Sequence, residues 1–265
     1  MIGVFDSGVG GLTVLHECLV SLPAEDYLYV GDSGHFPYGT KTAEELRGRA
    51  LAISEYLIER KVKLLVVACN SATAAAGDEV RALGAAAGVP VVTVIGPEAE
   101  IASAITENGR VGVLATPATV GNGAYHRALE EQRRVLDVTE VAAPDLAPMI
   151  QTDLDFDDHL IGKVRGYCDP LKRADVDTLI LGCTHYPLVA PVLQRILGRD
   201  VRLVSAGHAI AGAIQRELAS SGSLADGGTE GDYRFLVTGS VGDFSRDGTR
   251  FLQLPLAGRV EAVSI

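Results

Sequence analysis

Twice in this chain a run of branched apolar residues ends in a small residue, a cysteine and two polar residues. The first passage is Leu64-Leu65-Val66-Val67-Ala68-Cys69-Asn70-Ser71; the second is Thr178-Leu179-Ile180-Leu181-Gly182-Cys183-Thr184-His185. An earlier pair accompanies them, Gly3-Val4-Phe5-Asp6-Ser7 and Gly112-Val113-Leu114-Ala115-Thr116, each an apolar strand ending in a small hydroxyl residue. The offsets are comparable, 63 residues from Asp6 to Cys69 and 68 from Ala115 to Cys183. Two related modules account for this echo. Short Val/Ile/Leu-rich runs at 2–5, 27–30, 63–68, 91–95, 110–114, 136–141, 177–181 and 201–204 alternate with segments of helical period, the signature of βα units around parallel sheets buried on both faces. Leu46, Ala50, Ile53 and Leu57 form one such helical stripe, and Pro187 is placed to open a helix whose Leu188, Val189, Val192, Leu193 and Ile196 face inward. The expected fold class is therefore α/β, built as two similar α/β domains with mainly parallel sheets. In open parallel sheets ligands bind beyond the carboxyl ends of the strands, where both cysteines fall. Facing modules would put both thiols in one cleft.

The four cysteines, at 18, 69, 168 and 183, lack CxxC or Cys/His finger spacing, so reduced thiols are expected rather than a disulfide or zinc framework. A net charge of -11 with no Lys/Arg cluster argues against nucleic acid or an anionic membrane, leaving a small molecule as the expected partner. The start, Met1-Ile2-Gly3-Val4-Phe5-Asp6, lacks the form of a signal peptide, and no segment is apolar for long enough to span a bilayer. The expected address is cytoplasmic.

A thiol ionises near ~8.5, so a cysteine at a polar strand end can take or give a proton near neutrality. Cys69 and Cys183 both stand at what reads as a strand-to-helix turn; Cys18 and Cys168 lack such surroundings and read as structural. Each active candidate alone could equally be a core cysteine. Asp6-Ser7-Gly8-Val9-Gly10-Gly11 reads either as an anion-binding turn or as a plain tight turn. It is not a dinucleotide fingerprint, because Thr13 occupies the last glycine position. Asp6 could orient a substrate ammonium or a thiol. Asp32, Pro37, Tyr38 and Gly39 belong to the next turn-rich loop, His185 adjoins the second thiol, and Thr116 and Thr119 read as anion-binding hydroxyls or a helix cap.

Together, Gly3 to Thr13, Pro37-Tyr38-Gly39, Val67-Ala68-Cys69-Asn70, Ala115-Thr116-Pro117-Ala118-Thr119-Val120 and Gly182-Cys183-Thr184-His185-Tyr186-Pro187 closely resemble the glutamate racemase family, in order along nearly the whole chain. The resemblance implies two α/β domains related by a pseudo-two-fold axis, 1–95 with 208–265 and 96–207, with the active site in the cleft between them. It implies interconversion of L- and D-glutamate without metal, nucleotide or pyridoxal cofactor, a peptidoglycan role and a homodimer. It also implies that Cys69 removes the α-proton of D-glutamate while Cys183 reprotonates the opposite face, with roles reversed for L-glutamate. Asp6 and Asp32 match acids that assist Cys69, and His185 matches the residue that assists Cys183. Asp6, Ser7, Pro37, Tyr38, Gly39, Asn70, Ser71, Thr116, Thr119, Thr184 and His185 fall at substrate-contacting places. The chain departs from the family pattern at Ser71, usually threonine, at Gln151, where a glutamate is expected near the second cysteine, and at Gly96, where an acid usually precedes the proline. A racemase of another small acid such as aspartate, or a non-catalytic amino-acid binder, are the alternatives; a binder has no need of two thiols.

Overall fold

The computed structural model describes residues 1–152, 154–256 and 258–265. Ten strands are assigned among them: β1 (Ile2–Asp6), β2 (Tyr27–Gly31), β3 (Leu64–Val67), β4 (Val91–Thr93), β5 (Arg110–Ala115), β6 (Asp137–Ala142), β7 (Thr178–Gly182), β8 (Arg202–Val204), β9 (Tyr233–Val237) and β10 (Val260–Ala262). They form two sheets, β10-β9-β2-β1-β3-β4 and β6-β5-β7-β8, and every pairing is parallel. The order β2-β1-β3-β4 is repeated as β6-β5-β7-β8, so the sequence echo has a topological counterpart. Register carries it to single residues. Phe5 lies beside Val67 and Ala115 beside Gly182, which makes Asp6 with Ala68 equivalent to Ala115 with Gly182, and Cys69 equivalent to Cys183.

Alternation along the strands divides the core as a two-faced sheet requires. Ile2, Val4, Leu64 and Val66 join an apolar cluster that also contains Val111, Val113, Leu179 and Ile180 of the second sheet; Phe5, Val30, Leu65 and Val67 face the other way. That second face is covered by the helix Ala43–Glu59, whose Leu46, Ala50, Ile53 and Leu57 are buried as its periodicity predicts. Thr42 and Glu45 close its first turn reciprocally as a capping box.

Three details differ from expectation. β4 stops at Thr93, and Ile95 opens the helix Ile95–Ile105, because Pro97 has no N–H to give a strand ladder but suits a first helical turn. Pro187 opens a short 3₁₀ turn, Tyr186–Val189, and the α-helix begins only at Ala190. Pro191 cannot donate to the carbonyl of Pro187, so an α-helix continuous from 187 would lack a bond; placed in the first turn of Ala190–Leu197 the same proline costs none. Cys183 therefore stands in a tight turn, not at the start of an α-helix like Cys69. The C-terminal stretch from Tyr233 supplies β9 and β10 beside β2, which extends the first sheet.

Candidate active site

The carboxyl ends of β1 and β3 from one sheet and of β5 and β7 from the other converge on one narrow cavity. Of the residues singled out in the sequence, Ser7, Pro37, Tyr38, Gly39, Cys69, Asn70, Ser71, Thr116, Cys183, Thr184 and His185 line it. Both thiols thus reach one space from equivalent strands of the two sheets. Asp6, Asp32 and Thr119 lie behind the lining. Cys18 and Cys168 are buried in the apolar core, and all four cysteines are free.

Cys69 is the N-cap of the helix Asn70–Ala87, and its sulfur accepts from the Ala72 N–H at 3.5 Å. Ser7 adds donors from its backbone and hydroxyl. Burial pushes this thiol up to about 12, with the Asp6 carboxylate raising it further and these donors opposing the rise. Cys183 is pushed well above its ordinary range, again by burial first, with only the His185 backbone N–H acting against it. Its Sγ lies 3.8 Å from His185 Nδ1, and His185 Nε2 donates to Gln151 Oε1 at 2.9 Å. Burial, aided by the nearby Arg250 charge, lowers His185 to about 3, so the ring is neutral at physiological pH.

Asp6 is fully buried, accepting from the Gly8 N–H at 3.0 Å and, across the molecule, from Thr184 Oγ1 at 3.3 Å. Burial raises its pKa despite those donors, and its field reaches both thiols. Asp32 is differently employed. Arg49 donates to both of its oxygens at 2.8 and 2.9 Å, and Tyr38 and Thr238 donate hydroxyls at 2.5 and 2.7 Å. These bonds outweigh burial and hold Asp32 down at about 2, an anion that anchors the Tyr38 ring against the cavity wall. The glycine-rich turn after β1 serves close packing. A Cβ on Gly10 would stand 2.4 Å from both His185 Nδ1 and Thr184 Oγ1.

Hydroxyls gather where helix N-termini meet across the cleft. Ser71 Oγ and Thr116 Oγ1 are 2.9 Å apart, and Thr119 Oγ1 lies 3.0 Å from Thr116 Oγ1. Thr116 also caps its helix, accepting from the Thr119 N–H at 3.3 Å, one of the two roles the sequence left open. The cluster and the N-terminus of the Asn70–Ala87 helix suit a carboxylate. On the opposite side of Asn70, Nδ2 donates to Glu98 Oε2 at 3.0 Å and to Tyr125 Oη at 2.7 Å, which leaves the Asn70 Oδ1 acceptor unpartnered. Among the described residues no group of three or more His, Cys, Asp or Glu side chains is placed to hold a metal ion.

Sequence reading missed Phe36, Thr40, Pro144, Ala147 and Pro148 as lining and Glu98 behind it. The repeat offered a signal for three of them. The loop after β6 is the counterpart of the loop after β2 that carries Pro37, Tyr38 and Gly39, so Pro144, Ala147 and Pro148 stand where the duplication puts a second wall.

The Asp/Glu/hydantoin racemase family model matches residues 2–214. A glutamate racemase of Mycobacterium tuberculosis (strain ATCC 25618 / H37Rv) is 42% identical over 263 residues, 99% of this chain and 95% of that protein. The crystal structure of a glutamate racemase of Bacillus anthracis superposes with a TM-score of 0.94 at 38% identity, covering 100% of this chain and 97% of that one. That of a Francisella tularensis glutamate racemase in complex with D-glutamate gives 0.91 at 32% identity, covering 99% and 97%. A parallel two-sheet fold, two strand-end thiols in one cavity and these full-length likenesses lead to one assignment: the chain belongs to the Asp/Glu/hydantoin racemase family and, within it, to the glutamate racemases.

Proposed function

We propose that this racemase interconverts L- and D-glutamate by a two-base reaction in which Cys69 and Cys183 act from opposite faces of the α-carbon. The observation that carries the reading is the single cavity lined by both thiols, each beyond the carboxyl end of an equivalent strand. A lone base tends to return a proton to the face it left, whereas an opposed pair inverts the centre. With D-glutamate bound, the Cys69 thiolate takes the α-proton, the electron pair stays on carbon, and the Cys183 S–H bond breaks to protonate the other face. Because the buried thiols resist ionisation, the substrate ammonium is the charge that makes a thiolate available in the closed site. Asn70 Oδ1, Ser7 and the Asp6 carboxylate behind it supply acceptors on the ammonium side; Ser71, Thr116 and the Asn70–Ala87 helix N-terminus face the carboxylates. Carbanion stabilisation falls to such fixed donors, since no Lys or Arg lines the cavity among the described residues. Asp32 acts on this reading through Tyr38, His185 through Cys183, and Thr119 through Thr116.

The same proposal includes a cofactor-independent enzyme in the cytoplasm, supplying D-glutamate for peptidoglycan, working as a homodimer, and divided into 1–95 with 208–265 and 96–207. Among the described residues no helix is long and apolar enough to cross a membrane. Incubation of the purified protein with either enantiomer in deuterated buffer tests the chemistry. Inversion with deuterium at the α-carbon is expected, and both are expected to fall by orders of magnitude in Cys69→Ser and Cys183→Ser. Undiminished inversion in either variant, or inversion without deuterium uptake, overturns the mechanism. Aspartate run alongside reads the side-chain preference.

A further inference from the structure

The two thiols are not equivalently surrounded. Cys69 Sγ faces donors: the Ala72 N–H and the Ser7 backbone and hydroxyl. Cys183 Sγ has a single donor, the His185 backbone N–H, and faces Nδ1 of a ring whose Nε2–H is already committed to Gln151 Oε1, so Nδ1 presents a lone pair. We infer that Gln151 is a positioning residue that fixes His185 in the neutral Nε2–H tautomer and so makes Cys183 the harder of the two thiols to ionise, leaving Cys69 to become the thiolate when the substrate ammonium binds. A lone pair accepts from S–H and repels S⁻. Gln151 is a neutral partner and offers no charge to stabilise an imidazolium, and the charge that faces the ring is a cation, Arg250, whose guanidinium donates to the Gln151 carbonyl at 2.7 Å. The aromatic rings of Phe36 and Phe251, 5.5 and 5.2 Å from the imidazole, complete its surroundings without adding charge. A carboxylate at 151 would reverse this, since it would pay for a proton on the ring and leave Nδ1–H donating to a Cys183 thiolate.

The inference rests on the two-thiol reading, and its consequence is directional. After one inversion of D-glutamate the proton sits on Cys69 and the charge on Cys183, next to the Nδ1 lone pair; the reset, in which Cys183 takes a proton from solvent and Cys69 gives one up to it, is then downhill. The test needs no turnover. Nitrogen-15 NMR of the histidine-labelled protein between pH 6 and 9 is expected to show His185 with Nε2 protonated, Nδ1 bare and no titration. Iodoacetamide labelling read by peptide mass is expected to modify Cys69 faster than Cys183 in the wild type. In Gln151→Glu the His185 signal is expected to become imidazolium and Cys183 labelling at pH 7 to rise about tenfold, the equivalent of one pKa unit. An Nδ1–H tautomer or an imidazolium in the wild type overturns the inference, as does an unchanged ratio of the two labelling rates in Gln151→Glu. Failure of the racemase reading would appear instead as absence of glutamate inversion with the tautomer intact.

Discussion

Glu98 shows how much a single side chain can hide. It sits in the first turn of the helix Ile95–Ile105, fully buried, with Tyr125 Oη donating to Oε2 at 2.5 Å and Asn70 Nδ2 at 3.0 Å, while Oε1 has no partner. Burial outweighs both donors and raises its pKa to about 8, so the group is held as the neutral acid at physiological pH and holds the Asn70 amide by its nitrogen, with the amide oxygen left unpartnered. The linkage sign follows from a folded pKa above the ordinary 4.5: the folded state binds the proton more tightly than the unfolded chain. The stability Glu98 contributes is complete below about pH 4.5, declines as pH rises through about 8, and is gone above it. Glu98→Gln retains an acceptor for Tyr125 and Asn70 but has no proton to lose. Thermal melts from pH 5 to 9 are expected to show the wild type losing stability relative to the variant, by a few kcal/mol in all. Parallel pH profiles for the two proteins would show that Glu98 does not titrate in this window. Nothing in the local sequence marks this residue, because a glutamate in a first helical turn is ordinarily a solvated partner of the helix dipole. Its burial comes from Asn70 and Tyr125, which are distant in the chain.

At the scale of elements, the turn after β1 presses on the turn after β7, and Gly10 is the contact. Gly10→Ala would set a methyl group 2.4 Å from His185 Nδ1 and Thr184 Oγ1, which must move together with the Cys183 turn. Overpacking of this kind costs about 1–3 kcal/mol, and displacement of the ring from Cys183 is expected to lower kcat by tenfold or more. Steady-state kinetics with denaturant unfolding check both; normal kcat with normal stability would mean the turns are free to part. The sequence made the strands readable because their apolar runs end in small or polar residues such as Gly, Ala or Asp, and the β3 and β7 repeats located Cys69 and Cys183 correctly at strand ends. It failed where a proline competes with periodicity. At Pro97 and Pro191 the hydrophobic pattern continues, but the missing N–H decides where a helix starts. Asp32 was legible as the acid of a turn-rich loop, yet its engagement with Arg49 and Thr238 is not, since those partners come from a separate helix and from the end of β9.

For the whole molecule, the decisive question is whether the two sheets respond to a ligand as one body. Their cores are continuous, since one apolar cluster takes in Ile2 and Val4 of the first sheet with Val113 and Ile180 of the second. Polar bonds also cross between the halves: Thr13 Oγ1 donates to the Thr184 carbonyl at 2.9 Å, and Thr184 Oγ1 to Asp6. A ligand in the cleft would touch Ser7, Asn70 and Ser71 from one half and Thr116, Thr184 and His185 from the other, so its binding energy is available only when both halves are folded and docked. Calorimetry is therefore expected to show a single unfolding transition, and glutamate at a hundred times its Kd is expected to stabilise it by about 2.7 kcal/mol. For a chain of this size that corresponds to roughly 5–10 °C in Tm. Two transitions of which glutamate moves only one would place the ligand on one half alone. In that case two thiols could not flank one stereocentre, whatever their separate acidities.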